Sequence, residues 1–516
     1  MILGNTSGDA SRASLSPADW QFRDTLDELF RRAVEARPDA TALIDPPDRE
    51  AFTDGAPRRL TWAQADQVVS AIANLLKSFG LPADAVVAVQ LPNVVEGVLV
   101  LLGVLRAGMI AAPLPLLWRR ADARAALGRI GARALISCRR VGDIDHAELS
   151  MHVAAETFAI RFVCAFGRGV PDGVIPLDDL FDEALPASSP PLDHGGDPAD
   201  HVAVVTFDTM ADGLVPVARS HAELIAAGHA VANAAGIEPG ARLLGALMSS
   251  SLAGLGSTVV PWLLRGGTLW LHQPFDPAVL ATQASDVAVV PGPVLSRLVE
   301  AGLIAPQAGP QAVVAVWRAP ERLADAAPWL PRDTTLVDVP VFGEIGLVAA
   351  RRGPDGKPAA LVAGPAPGAG SDATVELART PGGTLALRGA MVPRYAFPAG
   401  VERAAPRLKI GEDGFVDTGN PCRIDRDSHT LTLDGPPPGI VSVGGYRFAL
   451  RELQDLVKPI DDDGSVAALP DVLAGHRLAG VGNDRDAIRE KLAEEGANPL
   501  VTAAFRDKRP GRASAA

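Results

Sequence analysis

The densest run of chemically able side chains lies at 207–221, Phe-Asp-Thr-Met-Ala-Asp-Gly-Leu-Val-Pro-Val-Ala-Arg-Ser-His. Asp208 and Asp212 are carboxylates four residues apart, Thr209 and Ser220 carry hydroxyls, and Arg219 is a fixed cation. Such carboxylates in a loop can coordinate a divalent cation. They equally suit a polar turn around Gly213, and they would repel a polyphosphate. Glu344 follows an apolar strand, where it is either a metal ligand or a solvated loop charge. Asn420 can accept a hydrogen bond from a hydroxyl, while Asn420-Pro421 also favours an Asx turn. Cys138, Cys164 and Cys422 lie far apart with no CxxC spacing, which argues against zinc and disulfides and for a reducing, cytoplasmic setting. Glycines at 364–370 are followed by no helical pattern, so a dinucleotide site is not expected there.

These groups sit among elements read from hydrophobic periodicity. Residues 61–79 carry Ala65, Val68, Val69, Ile72, Leu75 and Leu76 at helical spacing before Gly80. Strands are expected at 85–91, 107–114 and 134–138, with helices at 96–106 and 123–130 between them. A second segment repeats this alternation: a strand at 202–207, then a loop, a helix at 222–235, a strand at 241–248, a helix at 252–264, and strands at 268–272, 287–290 and 312–316. Alternating strands and helices imply parallel sheet with helices on its faces. A Pro-rich surface connection at 185–198 separates the two segments. From about 347 short strands alternate with Gly/Pro turns, and Gly435-Pro-Pro-Pro-Gly439 is the sharpest break. Beyond it, strands at 440–443 and 477–481 and helices at 450–457 and 486–495 make a short final unit.

With 516 residues the chain exceeds one compact core, and 47% apolar against 21% charged residues excludes a disordered chain. The net charge of −13 argues against nucleic acid as a partner. The first twenty residues show no secretory signal pattern. The longest apolar run, 98–117, contains Arg106, Gly103, Gly108, Pro113 and Pro115, and reads as a buried helix followed by a strand, not a membrane span. Only six lysines are present: Lys77, Lys357, Lys409, Lys458, Lys491 and Lys508.

Several segments in order, over about 20–500, resemble the adenylate-forming superfamily of acyl- and aryl-CoA ligases, luciferases and peptide-synthetase adenylation domains. They are Leu60-Thr61-Trp62-Ala63-Gln64-Ala65, the pair Val89-Gln90-Leu91-Pro92-Asn93 and Ala107-Gly108…Pro113-Leu114, Leu264-Arg265-Gly266-Gly267-Thr268-Leu269, Asp413-Gly414-Phe415-Val416-Asp417-Thr418-Gly419-Asn420, and Gly444-Gly445-Tyr446-Arg447 before Arg451-Glu452-Leu453. The resemblance implies an α/β fold: a large N-terminal domain (1–434) of two mixed or parallel αβ subdomains (about 1–198 and 199–346) plus a small β-rich one (347–434). A hinge (435–439) and a small mobile α+β C-terminal domain (440–516) would follow. It also implies a reaction in two steps. A carboxylic acid attacks ATP to give an acyl-adenylate and pyrophosphate, and a thiol such as that of CoA then displaces AMP. Mg²⁺ and cationic groups neutralise the phosphates.

Residue by residue, the resemblance assigns Thr209, Gly213, Arg219, Phe342, Gly343, Asn420 and Arg423 to nucleotide binding. Glu344 becomes the magnesium ligand, Lys508 the C-terminal catalytic cation, Ser249, Ser250, Ser251 and Gly254 the acid pocket, and Gly444 and Gly445 the CoA loop. His221 is expected to be structural. The chain departs from the family pattern at five places. The Ser/Thr/Gly phosphate loop holds Asp208, Met210 and Asp212, with Val215 at its lysine. The "Y-G-x-T-E" motif becomes Phe342-Gly343-Glu344-Ile345-Gly346, whose Glu344 survives in one of two alignments. Asn420 replaces the ribose-binding aspartate, Pro436 replaces the hinge arginine, and the C-terminal "P-x-T-x-S-G-K" is not recognisable, Phe505-Arg506-Asp507-Lys508-Arg509 lying nearest. The two expectations are therefore an acid–CoA ligase with a divergent site, possible as a homodimer, and a silent relative binding acyl ligand, acyl-CoA or a protein.

Overall fold

The computed structural model describes residues 22–181, 196–273, 276, 284–300, 309–329, 333–366, 374–397 and 406–506. The helix Trp62–Ser78 starts at Thr61, whose hydroxyl accepts from Gln64 N while the Gln64 carboxamide oxygen accepts from Thr61 N. This reciprocal cap satisfies two backbone donors that the helix leaves free. Of the expected apolar stripe, Ala65, Val68, Val69, Ile72 and Leu76 are buried and Leu75 is half-buried. The stripe packs on Val95–Arg106, a helix buried along its whole length; a Cβ on Gly103 would fall 2.7 Å from Ile72 Cβ, so glycine sets the close crossing. Arg106 ends that helix fully buried, its charge met by Asp27 at 2.8 Å and Asp66 at 2.6 Å. The apolar run is thus a core helix followed by the strand Ile110–Pro113. No described helix is long and apolar enough to cross a membrane.

The fold is α/β, as expected. One sheet of nine strands has the parallel order Thr335–Phe342, Ala312–Trp317, Val287–Pro291, Arg242–Gly245, Thr268–Leu271 and Thr41–Ile44, with antiparallel strands at its edges. A second, of seven strands, is parallel through Ile110–Pro113, Val86–Gln90, Ala134–Cys138 and Phe162–Phe166. The two sheets exchange strands: Thr41–Ile44 joins the first, whereas Val202–Met210 and Gly213–Ser220 extend the second. A six-stranded antiparallel sheet spans Leu361–Val362 to Thr430–Leu433. The last sheet, of four strands, is Tyr446–Ala449, Ile440–Val443, Gly475–Val481 and Ser465–Asp471, backed by Leu450–Val457 and Arg485–Glu494.

One expectation is corrected. The sequence predicts a loop after the strand at 202–207, but Val202–Met210 and Gly213–Ser220 pair as a hairpin, with Asp208 opposite Val215 and Met210 opposite Gly213. The alternation Val215-Pro216-Val217 against Val204-Val205-Thr206-Phe207 suits a two-stranded ladder, and Gly213, at φ +114, closes its turn. The stretch runs as two extended strands whose alternate residues exchange N–H···O bonds across the ladder, and it is not a loop curled around an anion.

Candidate functional site

A crevice forms where the hairpin, the Phe342–Glu344 corner and the C-terminal sheet meet. Its lining includes Trp118, Asp208, Thr209, Arg318, Gly343 and Glu344 on one side, and Gly445, Tyr446 and Arg447 on the other. The remaining cavity is about 50 Å³, room for a few waters. Gly444 (φ +57) and Gly445 (φ +86) form the two-residue turn joining Ile440–Val443 to Tyr446–Ala449, a turn that requires two left-handed residues. That turn aims Tyr446 and Arg447 into the crevice. Arg447 Nη1 lies 3.1 Å from Asp208 Oδ1, and both side chains are nearly inaccessible, at 10% and 2%. Asp208 Oδ2 also accepts from Glu344 N at 2.9 Å.

Glu344 is buried, and its Oε2 accepts from Leu252 N at 2.7 Å. Ser251 occupies the N-cap position of the helix starting at Leu252, yet its hydroxyl makes no capping bond; Glu344 does that from another element. The helix continues through a π-helical turn, Leu255–Val259, to Arg265. Burial raises the Glu344 carboxyl above the ordinary range, Arg318 opposes this, and Asp208 adds to it. Arg219 is fully buried behind the corner, donating to Met391 O at 2.7 Å and to Glu344 O. Burial lowers its pKa. It braces the corner and does not line the crevice.

The other expected residues are distributed as follows. Thr209 and Gly343 line the crevice, and Phe342 is fully buried in the strand beneath. Gly213 lies at the hairpin turn beside Glu452. Asn420 is fully buried; its Nδ2 donates to Gly435 O at 3.3 Å, at the start of the expected hinge, and its Oδ1 has no partner among the described residues. Arg423 projects outward to pair with Asp434 at 2.7 Å. Ser249 and Ser250 face a second cavity of about 10 Å³, between Val89, Leu91, Pro113 and Leu114. Gly254 is a packing residue, since a Cβ there would fall 1.8 Å from Met248 O. His221 Nδ1 accepts from Leu26 N at 3.1 Å, tying the hairpin's helix to the first one. Lys508 lies outside the described residues.

Sequence reasoning passed over Arg318, Tyr446 and Arg447 as site residues. For Arg447 a signal existed: it is a cation two residues after Gly445, in a chain whose lysines are missing from the expected places. As folded, the carboxylates do not fit a resident magnesium. Glu344 is committed to a helix cap and Asp208 to Arg447 and a backbone N–H. Among the described residues no three acidic, histidine or cysteine side chains converge as a metal cluster.

Comparison with known proteins adds the following. Residues 30–313, more than half of the chain, match the family model described as AMP-binding enzyme. Long-chain fatty acid transport protein 1 of Homo sapiens is 35% identical over 170 residues, 33% of this chain and 24% of its own length. The match thus spans about a quarter of the length of that relative and of its bovine, rat and mouse counterparts. A salicylyl-CoA synthase / salicylate adenylyltransferase of Streptomyces sp is 27% identical over 465 residues, covering 84% of this chain and 81% of that protein. In fold, the amide bond synthetase McbA from Marinactinospora thermotolerans aligns with a TM-score of 0.69 at 18% identity, over 93% of this chain and 94% of its own.

Proposed function

This chain belongs to the AMP-binding enzyme family, and we propose from that premise that it is an acid–thiol ligase acting on a carboxylic acid, ATP and a thiol such as CoA. The observation that carries this reading is the convergence of Asp208, Thr209, Gly343 and Glu344 with Gly445, Tyr446 and Arg447 in one crevice between the large and small units. In the first step a carboxylate oxygen attacks the α-phosphorus of ATP and pyrophosphate leaves. In the second a thiol sulfur attacks the acyl carbon, AMP leaves, and the thiol proton passes to solvent. Arg318 and Arg447 supply the positive charge that developing phosphate charge requires. The orphan Oδ1 of Asn420 is an acceptor that a ribose hydroxyl would satisfy once movement at the adjoining Gly435 uncovers it. Residues 435–439, whose Gly439 has φ +76, serve as the hinge between the units. The named activity of the Streptomyces relative puts aromatic acids first in a substrate screen.

The test is pyrophosphate release and acyl-hydroxamate formation with ATP and Mg²⁺ across aromatic and fatty acids. Turnover with at least one acid is expected; a folded protein that turns over none refutes the ligase. A second reading, a silent relative that binds acyl ligand or acyl-CoA, is favoured by the hairpin at 202–220, which gathers no phosphate cradle. Calorimetry separates the two: acyl-CoA binding with no ATP binding supports the silent relative.

A further inference from the structure

The Asp208 carboxylate has the surroundings of a bound anion. It receives the Arg447 guanidinium at 3.1 Å and 3.3 Å and the Glu344 N–H at 2.9 Å. Gly343 makes room for it: a Cβ there would fall 1.9 Å from Asp208 Oδ2 and 2.6 Å from Arg447 Nη1. Arg318 lies beside the same turn, where a Cβ on Gly445 would be 2.9 Å from its Cδ. Its charge acts on Glu344 and stands 5.9 Å from the Tyr446 ring centre. One guanidinium and a backbone donor thus hold one acceptor, a second guanidinium lines the same crevice, and that acceptor belongs to the chain.

Asp208 sits on the large unit and Arg447 on the small one, so the pair also joins the units. We propose that Asp208 is a built-in competitor for the anion site of the crevice. With Arg447 it forms a latch that the phosphates of an incoming nucleotide must displace, and Arg447 with Arg318 then receive those phosphates. This rests on the ligase reading for the identity of the ligand, a phosphoanhydride. The physics is intramolecular competition. A tethered carboxylate acts at an effective concentration of millimolar or more, so it weakens an external anion by a large factor without changing any contact that anion makes. Nearly full burial of both partners keeps solvent and salt from screening the pair.

The test uses the full chain and inorganic pyrophosphate. Asp208→Asn keeps an acceptor for Glu344 N–H and removes the charge. It is expected to bind pyrophosphate at least tenfold more tightly than wild type by calorimetry, and Asp208→Asn/Arg447→Gln is expected to lose that gain. Hydrogen exchange in Arg447→Gln reads the latch separately, with amides at 440–449 expected to exchange at least tenfold faster. Three results each overturn the latch: equal pyrophosphate affinity in Asp208→Asn and wild type, the gain persisting in the double variant, or unchanged exchange in Arg447→Gln. Wild-type turnover without the Asp208→Asn gain removes the latch and leaves the ligase. The gain without turnover on any acid leaves the latch and removes the ligase.

Discussion

Gln90 donates its amide hydrogens to Pro115 O at 3.0 Å and Trp118 O at 3.1 Å, which fixes its Oε1 as an acceptor. His146, 3.3 Å away, must therefore carry its proton on Nδ1 to meet it. Burial, then Arg119, pushes the His146 pKa down to about 4. Because the folded pKa lies below the unfolded one, the neutral ring's stability is present above about pH 6.5 and is lost as pH falls towards 4, up to about 3 kcal/mol. His146→Gln is expected to flatten that loss, read as denaturant midpoints from pH 7 to 4.5; an unchanged slope contradicts the assignment. Trp118, whose carbonyl accepts from Gln90, lines the crevice. Glu344 gives a second residue-scale prediction. Glu344→Ala strips the cap from Leu252 N and should cost about 1–3 kcal/mol. Glu344→Gln retains an acceptor there and should stay within about 1 kcal/mol of wild type, since burial already favours the uncharged carboxyl. Urea unfolding of the two variants separates a capping role from one that needs the negative charge.

The hairpin is the element that most changes the meaning of the site. Gly213 closes it at φ +114, and a Cβ there would fall 2.7 Å from Glu452 Oε1 on the small unit. Gly213→Ala should therefore cost about 1–3 kcal/mol from backbone strain alone. It should also push Glu452 away, so that denaturation shows lower stability and exchange rises at 450–457. Wild-type stability in this variant would mean that the turn adopts another conformation. Most regular elements were legible beforehand, because their signal is local. The periodicity of 61–79 and the apolar strand 134–138 identify Trp62–Ser78 and Ala134–Cys138 almost to the residue. The hairpin was not, because a motif resemblance suggested a loop where the alternation of Val215 and Val217 already favoured a strand. Nor were the joining of Thr41–Ile44 to Thr268–Leu271, or the roles of Arg219 and Glu344. Those depend on contacts between residues far apart in sequence: 125 positions for Arg219 to Glu344 and 92 for Glu344 to Leu252. Only the fold brings such partners together.

At the scale of the whole molecule, the apolar interior is divided. One continuous core runs from Leu26 through Trp62 and Trp262, stacked at 4.8 Å, to Leu431. The small unit has its own core, built from Val441, Leu453, Val457, Leu478, Ile488 and Phe505. Phe505 is fully buried against the strand Gly475–Val481, where a Cβ on Gly480 would fall 2.5 Å from its ring. Among the described residues the seam between the units carries polar contacts: Arg120 to Glu494 O at 2.7 Å, Ala121 N to Gly496 O at 3.1 Å, Arg322 to Leu473 O at 3.1 Å, and the Asp208–Arg447 pair. Polar contacts of this kind couple two units weakly compared with a shared apolar core. The small unit should therefore unfold as its own cooperative block. Truncating Phe505 to Ala removes an aromatic ring from a core of few large side chains and should cost that block about 3–5 kcal/mol. Scanning calorimetry of Phe505→Ala is expected to shift one, smaller transition downward and leave the main transition in place. A single transition that moves as a whole would mean that the polar seam binds the units into one cooperative body, and that a hinge at 435–439 could not release the small unit on its own.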